Sequence, residues 1–263
     1  MPVETLVRYL KPELRHATTP PDIGDRESRR ANTIKRPVLV HDARPRLEAG
    51  DLALETHGFA LENHTSAVAN FHDKAEVEAT YYPEMHALMR RVTGANAVYT
   101  TQHVVRTEDT SNFNLSYARF VHCDYSLSDP RDAAEKLLKE RGDDPDRYRD
   151  FAWYNTWQPV EREVRQNPLA VIDATTLDES DVVDYYYTGY GKKSLTSMPV
   201  ENAAHRFFYF ARMQPGELLI IKQLDTRDEL ASCCPHTSFE DPDVPENVPG
   251  RRSIEVRLLC AFE

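Results

Sequence analysis

Short apolar runs separated by turn-forming residues fill much of the chain after residue 95. They are rich in Val, Ile, Phe and Tyr, and clusters of Pro, Gly, Asp and Asn lie between them. Because the runs do not alternate regularly with helical segments, they favour a mainly β, α+β protein: an antiparallel jelly-roll sandwich or barrel with flanking helices. The strands predicted from these runs and from one earlier run are 38–40, 97–105, 117–124, 168–173, 206–210, 217–224 and 253–262.

Two segments predict helices. The first lies between Asp73, an N-cap residue type, and Gly94, a C-terminal stop, with a break or kink expected at Pro83. The second covers 133–141, where alternating Glu and Lys residues predict a solvent-facing helix. Residues 11–35 are polar and rich in proline, so we expect an irregular arm along the surface there.

Length and charge limit the class of protein. The 263 residues fit one large domain or two small ones, and no repeat or linker between domains is visible. With the motifs described below, we expect one oxygenase domain, with an N-terminal extension and helices at 1–95 and a jelly-roll core at 96–263. There are 32 Lys+Arg against 43 Asp+Glu, a net charge of -11, and this acidic balance argues against a nucleic-acid partner. No apolar stretch approaches the roughly 18 residues of a membrane span, and the first residues lack a signal-peptide pattern. We therefore expect a cytoplasmic protein with no membrane partner.

The four cysteines are Cys123, Cys233, Cys234 and Cys260, too few for a disulfide framework in a chain of this length. Cys233 and Cys234 are adjacent and cannot form the usual CxxC pair of a zinc site. The sequence therefore disfavours a zinc ion held by cysteines.

Two histidines and one aspartate form the candidate metal site. Along a strand, His122 and Asp124 would project to the same face, with Cys123 turned the other way. His236 follows in a second motif, CPHT, more than 100 residues downstream. Two histidines and one carboxylate are the facial triad of non-haem iron(II) oxygenases, which leaves coordination positions open. The alternative for His236 is a turn histidine that caps backbone groups.

An Arg-x-Ser pair follows His236 and completes the pattern. If the 2-oxo acid end of 2-oxoglutarate binds the metal, its far carboxylate needs a fixed cation and a hydroxyl group. Arg251 and Ser253 would present both on one face of a strand, and arginine binds a carboxylate through two parallel hydrogen bonds. The alternative is that Arg251 and Arg252 are a solvated pair. Arg257 lies on the same face, where it could pair near Glu255 or serve as another carboxylate anchor.

With these motifs, the sequence resembles the 2-oxoglutarate/iron(II) oxygenases related to cephem 7-methoxylases, gibberellin desaturases and fungal meroterpenoid endoperoxide synthases. The order NxWxP, PHTxFxDP and RxSIEVR is specific, and the similar segments run nearly end to end. They are RPVLVHDARP (36–45), LETHGFAL (54–61), YYPEMHALMRRVTGANAVY (81–99), HVVR (103–106), VHCDYS (121–126), YNTWQPV (154–160), PLAVIDA (168–174), HRFFYFARMQPGELLIIKQLDT (205–226), CPHTSFEDP (234–242) and RRSIEVR (251–257).

The resemblance implies a double-stranded β-helix, the distorted jelly roll of cupin-like proteins, that uses iron(II), 2-oxoglutarate and O2. It implies that iron is bound by His122, Asp124 and His236, and 2-oxoglutarate by Arg251, Ser253 and Asn155. The residues expected on the substrate side are Tyr125, Trp157, His103 and Lys222. One departure is Gln158, which stands where the family usually has arginine and puts any charge-based role at that position in doubt.

The function expected from these motifs is oxidation of a C–H bond of a small molecule, a secondary metabolite, with release of succinate and CO2. Hydroxylation, desaturation and related outcomes all fit, and a homodimer is one expected oligomeric state. The alternatives are an inactive jelly-roll or cupin binding protein and a cupin-type metal hydrolase or lyase. The intact triad and Arg-x-Ser pair favour the oxygenase, because a decayed site would lose ligands first.

Overall fold

Two five-stranded sheets and a two-stranded ribbon make up the β structure of the computed structural model, which describes residues 1–108, 117–128, 130–189, 192–245 and 247–263. The strands are Val3–Leu10 (β1), Thr33–Asp42 (β2), Phe59–Asn63 (β3), Ala97–Arg106 (β4), Asp150–Pro159 (β5), Leu169–Ile172 (β6), Val182–Gly189 (β7), Lys192–Pro199 (β8), Phe207–Tyr209 (β9), Glu217–Asp225 (β10), His236–Ser238 (β11) and Ser253–Phe262 (β12). The helices are Arg26–Asn32 (α1), Arg44–Glu48 (α2), Leu54–His57 (α3), Lys74–Glu76 (α4), Tyr82–Thr93 (α5) and Pro130–Glu140 (α6). A π-helical segment at Val77–Tyr81 joins α4 to α5, and short 3-10 turns lie at Pro12–Leu14, Pro145–Arg147, Ala174–Thr176 and Glu179–Asp181.

The strand order is β1-β2-β9-β6-β11 in the first sheet and β3-β10-β5-β12-β4 in the second, and β7 pairs with β8. All of these pairs are antiparallel except β2 with β9. Leu169 and Val171 of the first sheet share one apolar cluster with Phe59, Trp157 and Leu219 of the second. The two sheets therefore pack against each other, and the expectation of a mainly β protein with flanking helices is confirmed.

The two faces of β12 have different partners. Ile254, Val256 and Leu258 join the apolar cluster that contains Met85 and Leu88 of α5. Since side chains alternate along a strand, the residues between them project to the opposite face, toward the space between the sheets. Those residues, Glu255 and Arg257, are polar, and the functional site lies on their face of the sheet.

The helix predicted between Asp73 and Gly94 begins and ends there. The Asp73 side chain accepts hydrogen bonds from the first backbone N–H groups, and Gly94 ends the helix with a φ of 73°. Pro83 lacks an N–H group and cannot continue the regular hydrogen-bond ladder, and the π-helical segment lies just before it. The second predicted helix is observed as α6, although its Ala134 and Leu138 are buried rather than solvent-facing.

Some of the predicted elements were wrong. Residues 11–35 are not an irregular arm, because they include the turn at Pro12–Leu14, all of α1 and the start of β2. Asp25 and Ser28 form a reciprocal capping box at the start of α1, a signal that the proline content obscured. Residues 117–124 do not form a regular strand: within this segment, His122 and Cys123 alone make β-bridges, and both bridges are isolated.

Several strands were missed: β1, β3, β5, β7, β8 and β11. Strand β5 is buried on both faces apart from its first residue, so it lacks the alternation of polar and apolar residues that identifies a half-exposed strand. Strand β11 has three residues, too few for a recognisable pattern. The division at residue 95 into an extension and a core stays a prediction. No helix in the described ranges combines the length and apolar character that a membrane span requires.

Candidate metal centre

Three side chains meet between the sheets. His122, Asp124 and His236 each offer a ligand atom within 4.8 Å of the others. The Nε2 atoms of His122 and His236 lie 3.7 Å and 4.0 Å from the Asp124 carboxylate oxygens. Two imidazoles and one carboxylate are the donor set of non-haem iron(II) oxygenases, so the residues present fit iron(II). The structure thus brings the three predicted ligands together.

Backbone pairing positions the two histidines. The His122 N–H donates to the His236 carbonyl at 3.0 Å, and the His236 N–H donates back to the His122 carbonyl at 2.9 Å. A reciprocal pair of this kind places both side chains on the same side of the strands. Cys123, between the ligands, pairs instead with Ser197 of β8, and its buried thiol lies outside the metal group. The i to i+2 spacing of His122 and Asp124 therefore places both side chains at one site, although no regular strand forms.

Further hydrogen bonds orient the ligands. The His122 Nδ1 lies 2.8 Å from the Phe120 carbonyl, a contact that leaves Nε2 for a metal. The Oε1 of Gln223 accepts the Asp124 backbone N–H at 2.9 Å, and its Nε2 is 3.4 Å from the His236 Nδ1. Gln223 therefore connects both halves of the centre, a role that no motif in the sequence indicated.

The Asp124 carboxylate is held by two adjacent strands. Asn155 of β5 donates its side-chain amide to Oδ2, and the Arg257 Nη2 of β12 lies 2.6 Å from Oδ1. These two residues are directly opposite each other in the strand register. Arg257 also bonds Glu255 itself. The sequence had suggested a pair with neighbours of Glu255 or an alternative carboxylate anchor. Asn155 was expected to bind 2-oxoglutarate, but it contacts the metal ligand Asp124. Its side-chain oxygen Oδ1 has no hydrogen-bond partner among the described residues.

The surroundings suit the protonation states that metal binding needs. Burial alone would raise the pKa of Asp124, but Arg257 and the two histidines outweigh it and the pKa falls. Burial lowers the pKa of both His122 and His236. An ionised carboxylate therefore faces two neutral imidazoles, whose lone pairs are available to a metal.

The predicted cosubstrate anchor is a buried cation beside a buried hydroxyl. Arg251 is 2% exposed, and its guanidinium lies 4.6 Å from the Tyr117 ring centroid and 5.1 Å from that of Trp157. It donates to the Asn167 carbonyl but forms no ion pair within the described ranges, and burial lowers its pKa to about 9. Its Nε and the Ser253 Oγ lack hydrogen-bond partners in the part of the chain that the structure describes. An incoming carboxylate would satisfy both atoms.

Arg106 is a second arginine at this place, and sequence analysis did not single it out. It is opposite Ser253 in the pairing of β4 with β12, and it is buried. Its charge contributes to the lowered pKa of Arg251. Its position at the end of the apolar HVVR run was a usable signal, because a charged residue closing a buried strand needs a partner or a function.

Two of the four predicted substrate-side residues lie at the centre. Tyr125 follows Asp124, packs on Trp153 with ring centroids 4.6 Å apart, and has a pKa raised by burial to about 12. Trp157 is 1% exposed, lies beneath the Arg251 guanidinium, and has an indole N–H without a partner among the described residues. Tyr125 therefore adjoins the predicted metal ligand Asp124 in the chain, and Trp157 contacts the predicted cosubstrate anchor Arg251.

The other two predicted substrate-side residues, His103 and Lys222, do not lie at the metal ligands. The His103 Nδ1 bonds the Tyr82 hydroxyl of α5 at 2.8 Å. Lys222 is buried in ion pairs with Glu55 and Asp225. His103 is paired in register with Val256 and Lys222 with Tyr154, residues of the helix-side cluster. Facing pairs share a face of the sheet, so both side chains point away from the centre.

Gln158 also faces the helix side. Its Oε1 accepts from the Tyr81 hydroxyl at 2.7 Å, and its Nε2 donates to the His64 carbonyl at 2.7 Å. Its amide therefore links Tyr81 to His64, whose Nε2 lies 3.4 Å from the Glu84 carboxylate.

Comparisons with known proteins agree with this geometry. A family model described as "Oxidoreductase/YMDC permease-like domain" matches residues 7–261. The Fe(II)/2-oxoglutarate-dependent dioxygenase nvfI of Aspergillus novofumigatus is 32% identical over 239 residues, which cover 87% of this chain and 84% of that protein. The chain belongs to the Fe(II)/2-oxoglutarate-dependent dioxygenases.

Two further proteins are similar to this dioxygenase over nearly its whole length. The hydroxylase/desaturase efuI of Hormonema carpetanum is 29% identical, with 95% of this chain and 90% of that protein covered. A solved structure of the iron and alpha-ketoglutarate-dependent endoperoxidase NvfI has a TM-score of 0.86 at 25% identity, covering 99% of this chain and 97% of that one. The resemblance seen in the motifs and the jelly-roll fold are thereby confirmed, and so is the use of iron(II), 2-oxoglutarate and O2.

Proposed function

We propose that this dioxygenase oxidises a C–H bond of a small secondary metabolite, by hydroxylation or desaturation, and releases succinate and CO2. One observation supports this above all others: the three ligand atoms lie within 4.8 Å of one another, beside a buried guanidinium and hydroxyl whose Nε and Oγ have no partners among the described residues. The names of similar proteins, which include hydroxylase/desaturase and endoperoxidase, support an oxidation of this class.

Each part of the centre has a distinct role in this proposal. His122, Asp124 and His236 hold iron(II), and Asn155 with Arg257 keeps the carboxylate ionised and oriented. Arg251 and Ser253 bind the far carboxylate of 2-oxoglutarate. When bound, iron with 2-oxoglutarate and O2 supplies the oxidant that attacks an unactivated C–H bond. Tyr125 and Trp157 exclude water and border the substrate.

The test is 2-oxoglutarate-dependent succinate formation with ferrous iron and ascorbate, in the presence of a panel of small organic compounds. His236→Ala removes one of three ligands and is expected to abolish both metal binding and succinate formation. Arg251→Ala is expected to raise the half-saturating 2-oxoglutarate concentration about 10-fold or more, since a charge-assisted contact is lost. Metal binding by Arg251→Ala should stay unchanged.

Arg252→Ala is the matched control for Arg251→Ala, because the neighbouring Arg252 is paired on the surface with Glu108 and Glu161. Arg252→Ala should leave the half-saturating 2-oxoglutarate concentration and the metal affinity as in the wild type. Wild-type protein that binds iron stoichiometrically yet never consumes 2-oxoglutarate would contradict the oxygenase and favour a binding protein. Loss of iron in Arg251→Ala would make Arg251 a structural residue.

A homodimer and a cytoplasmic location belong to the same proposal. Sedimentation equilibrium of the purified chain measures the first, and cell fractionation measures the second.

A further inference from the structure

A basic cleft of about 720 Å³ lies on the surface formed by β1, α1, the start of β2 and the segments around 117–120 and 238–242. Six cationic side chains line it, against two carboxylates, Glu4 and Glu240. In a chain with a net charge of -11, this is a strong local reversal of sign. The cations are Arg8, Arg26, Arg29, Arg30, Lys35 and Arg119.

Several of these cations have no ion pair among the residues that the structure describes. Arg119 pairs with Glu240, whereas Arg26, Arg30 and Lys35 form no ion pair within the ranges that the structure describes. Arg8 donates to the Thr33 hydroxyl, and its pKa is lowered by burial and then by the nearby Arg30. Cations held this close repel one another, and such a concave positive surface attracts anions.

Apolar groups complete the cleft next to the metal centre. Leu6, Phe120 and Phe239 line it. The Phe120 ring centroid is 4.7 Å from that of the metal ligand His122, and the Tyr117 ring, also in the lining, lies under the Arg251 guanidinium. One lining side chain, Phe120, therefore contacts a predicted metal ligand, and another, Tyr117, contacts the predicted cosubstrate anchor. Its volume is that of a site for a small organic ligand.

We propose that this cleft binds the anionic group of the substrate, so that the organic substrate is an acid with a carboxylate or phosphate. Arg30 and Lys35 hold the anion, and the body of the substrate lies along Phe120 toward the centre. This inference rests on the proposed function, because it assigns the substrate class of the same enzyme. The cosubstrate is itself a dianion, so the test must separate it from the substrate.

The first experiment measures the binding of inorganic pyrophosphate to the metal-free full-length protein by calorimetry. The double variant Arg30→Ala/Lys35→Ala is expected to bind about 10-fold more weakly than the wild type, since two charge-assisted contacts are lost. Lys136→Ala/Lys139→Ala, on the exposed face of α6, makes the same change in net charge and should bind as the wild type does. Equal weakening by both double variants would overturn the cleft as the site.

A second pair of variants tests whether removing a negative charge from the cleft strengthens anion binding. Glu4→Gln removes one of the two lining carboxylates and is expected to tighten pyrophosphate binding about 3-fold, because a repulsive charge is lost. Glu135→Gln on α6 is the matched control and should leave binding unchanged. Equal tightening by both, or none by Glu4→Gln, would contradict the proposal.

The third experiment assigns the anion to the substrate. In the succinate assay, organic acids are compared with their own methyl esters, and we expect the acids to stimulate 2-oxoglutarate consumption and the esters to fail. For a stimulating acid, Arg30→Ala/Lys35→Ala should raise KM about 10-fold with kcat unchanged, the pattern of lost uniform binding. The inference would be overturned if the esters stimulated 2-oxoglutarate consumption as much as the acids do. It would also be overturned if the double variant changed only the 2-oxoglutarate requirement. The proposed function fails separately, when His236→Ala and the wild type consume 2-oxoglutarate equally.

Discussion

At the scale of single residues, the metal ligand Asp124 depends on side chains from two neighbouring strands. Asn155 bonds one carboxylate oxygen and Arg257 the other, and Arg257 is itself held by Glu255. Groups that bond a metal-ligating carboxylate control its orientation and charge, and their loss typically weakens metal binding. Arg257 is therefore a positioning residue.

We expect Arg257→Ala to weaken Mn(II) binding about 10-fold, because Asp124 loses both its charge partner and its orientation. Calorimetric titration of the metal-free protein measures the affinity. Arg257→Lys should recover part of it, since the cation returns without the planar fork. Arg252→Ala provides the control. Unchanged metal affinity in Arg257→Ala would limit this residue to packing.

The identity of the metal ligands was predictable from residue types and spacing. The side of the sheet on which other polar residues lie was not. His122, Asp124 and His236 meet as the motif order predicted. Lys222 and His103 were expected on the substrate side, yet they face the helices. A polar residue in an apolar strand indicates a partner, but only the register decides which side of the sheet provides that partner.

At the scale of elements, Gly58 lets two segments approach closely near the centre. It ends α3 with a φ of 80°, and its carbonyl accepts the backbone N–H of Lys222. A Cβ placed there would lie 2.7 Å from the Cβ of Cys234, two residues before His236. Glycine is therefore required twice, by the left-handed conformation and by the close approach.

Gly58→Ala is expected to destabilise the protein more than Gly50→Ala, its matched control. Gly50 also has a positive φ, of 74°, but no atom within 4 Å of an added Cβ. The control should lower the free energy of unfolding by about 1 kcal/mol through backbone strain, and Gly58→Ala by a further ~1–3 kcal/mol through overpacking. Urea unfolding measures both. Equal losses would mean that the Cys234 segment moves aside.

Elements with a strong pattern and capping residues were predictable, whereas short or uniformly buried ones were not. Strand β12 and the helix from Asp73 to Gly94 appear where the pattern placed them. Strand β5, which contains Asn155, was missed because nearly all its residues are buried. The segment before Asp124 looked like a strand but makes only isolated bridges among the described residues.

At the scale of the whole molecule, the metal centre joins the two sheets. His236 belongs to β11 of the first sheet, whereas Asn155 and Arg257, which hold Asp124, belong to the second. A metal bound by Asp124 and His236 would therefore connect the layers. A ligand of this kind binds the folded state alone and stabilises it by mass action.

Mn(II) at 100 times its dissociation constant should raise the free energy of unfolding by about 2.7 kcal/mol. Urea unfolding with and without the metal, at constant pH and ionic strength, measures the increase. His236→Ala should show no increase, because it lacks one ligand. The same increase in His236→Ala would place the bound metal elsewhere on the chain.

The sequence by itself determined the chemistry of this dioxygenase, because a metal and a carboxylate require particular donor atoms, and the HxD, distant His and RxS motifs supply them. It also determined the elements whose pattern and caps are local. Tertiary structure decided what depends on register and on contacts between distant segments. These are the clamp of Asn155 and Arg257 on Asp124, the turning of Lys222 and His103 toward the helices, and the basic cleft beside Phe120. Such contacts join residues far apart in the chain, and no local pattern of residues encodes them.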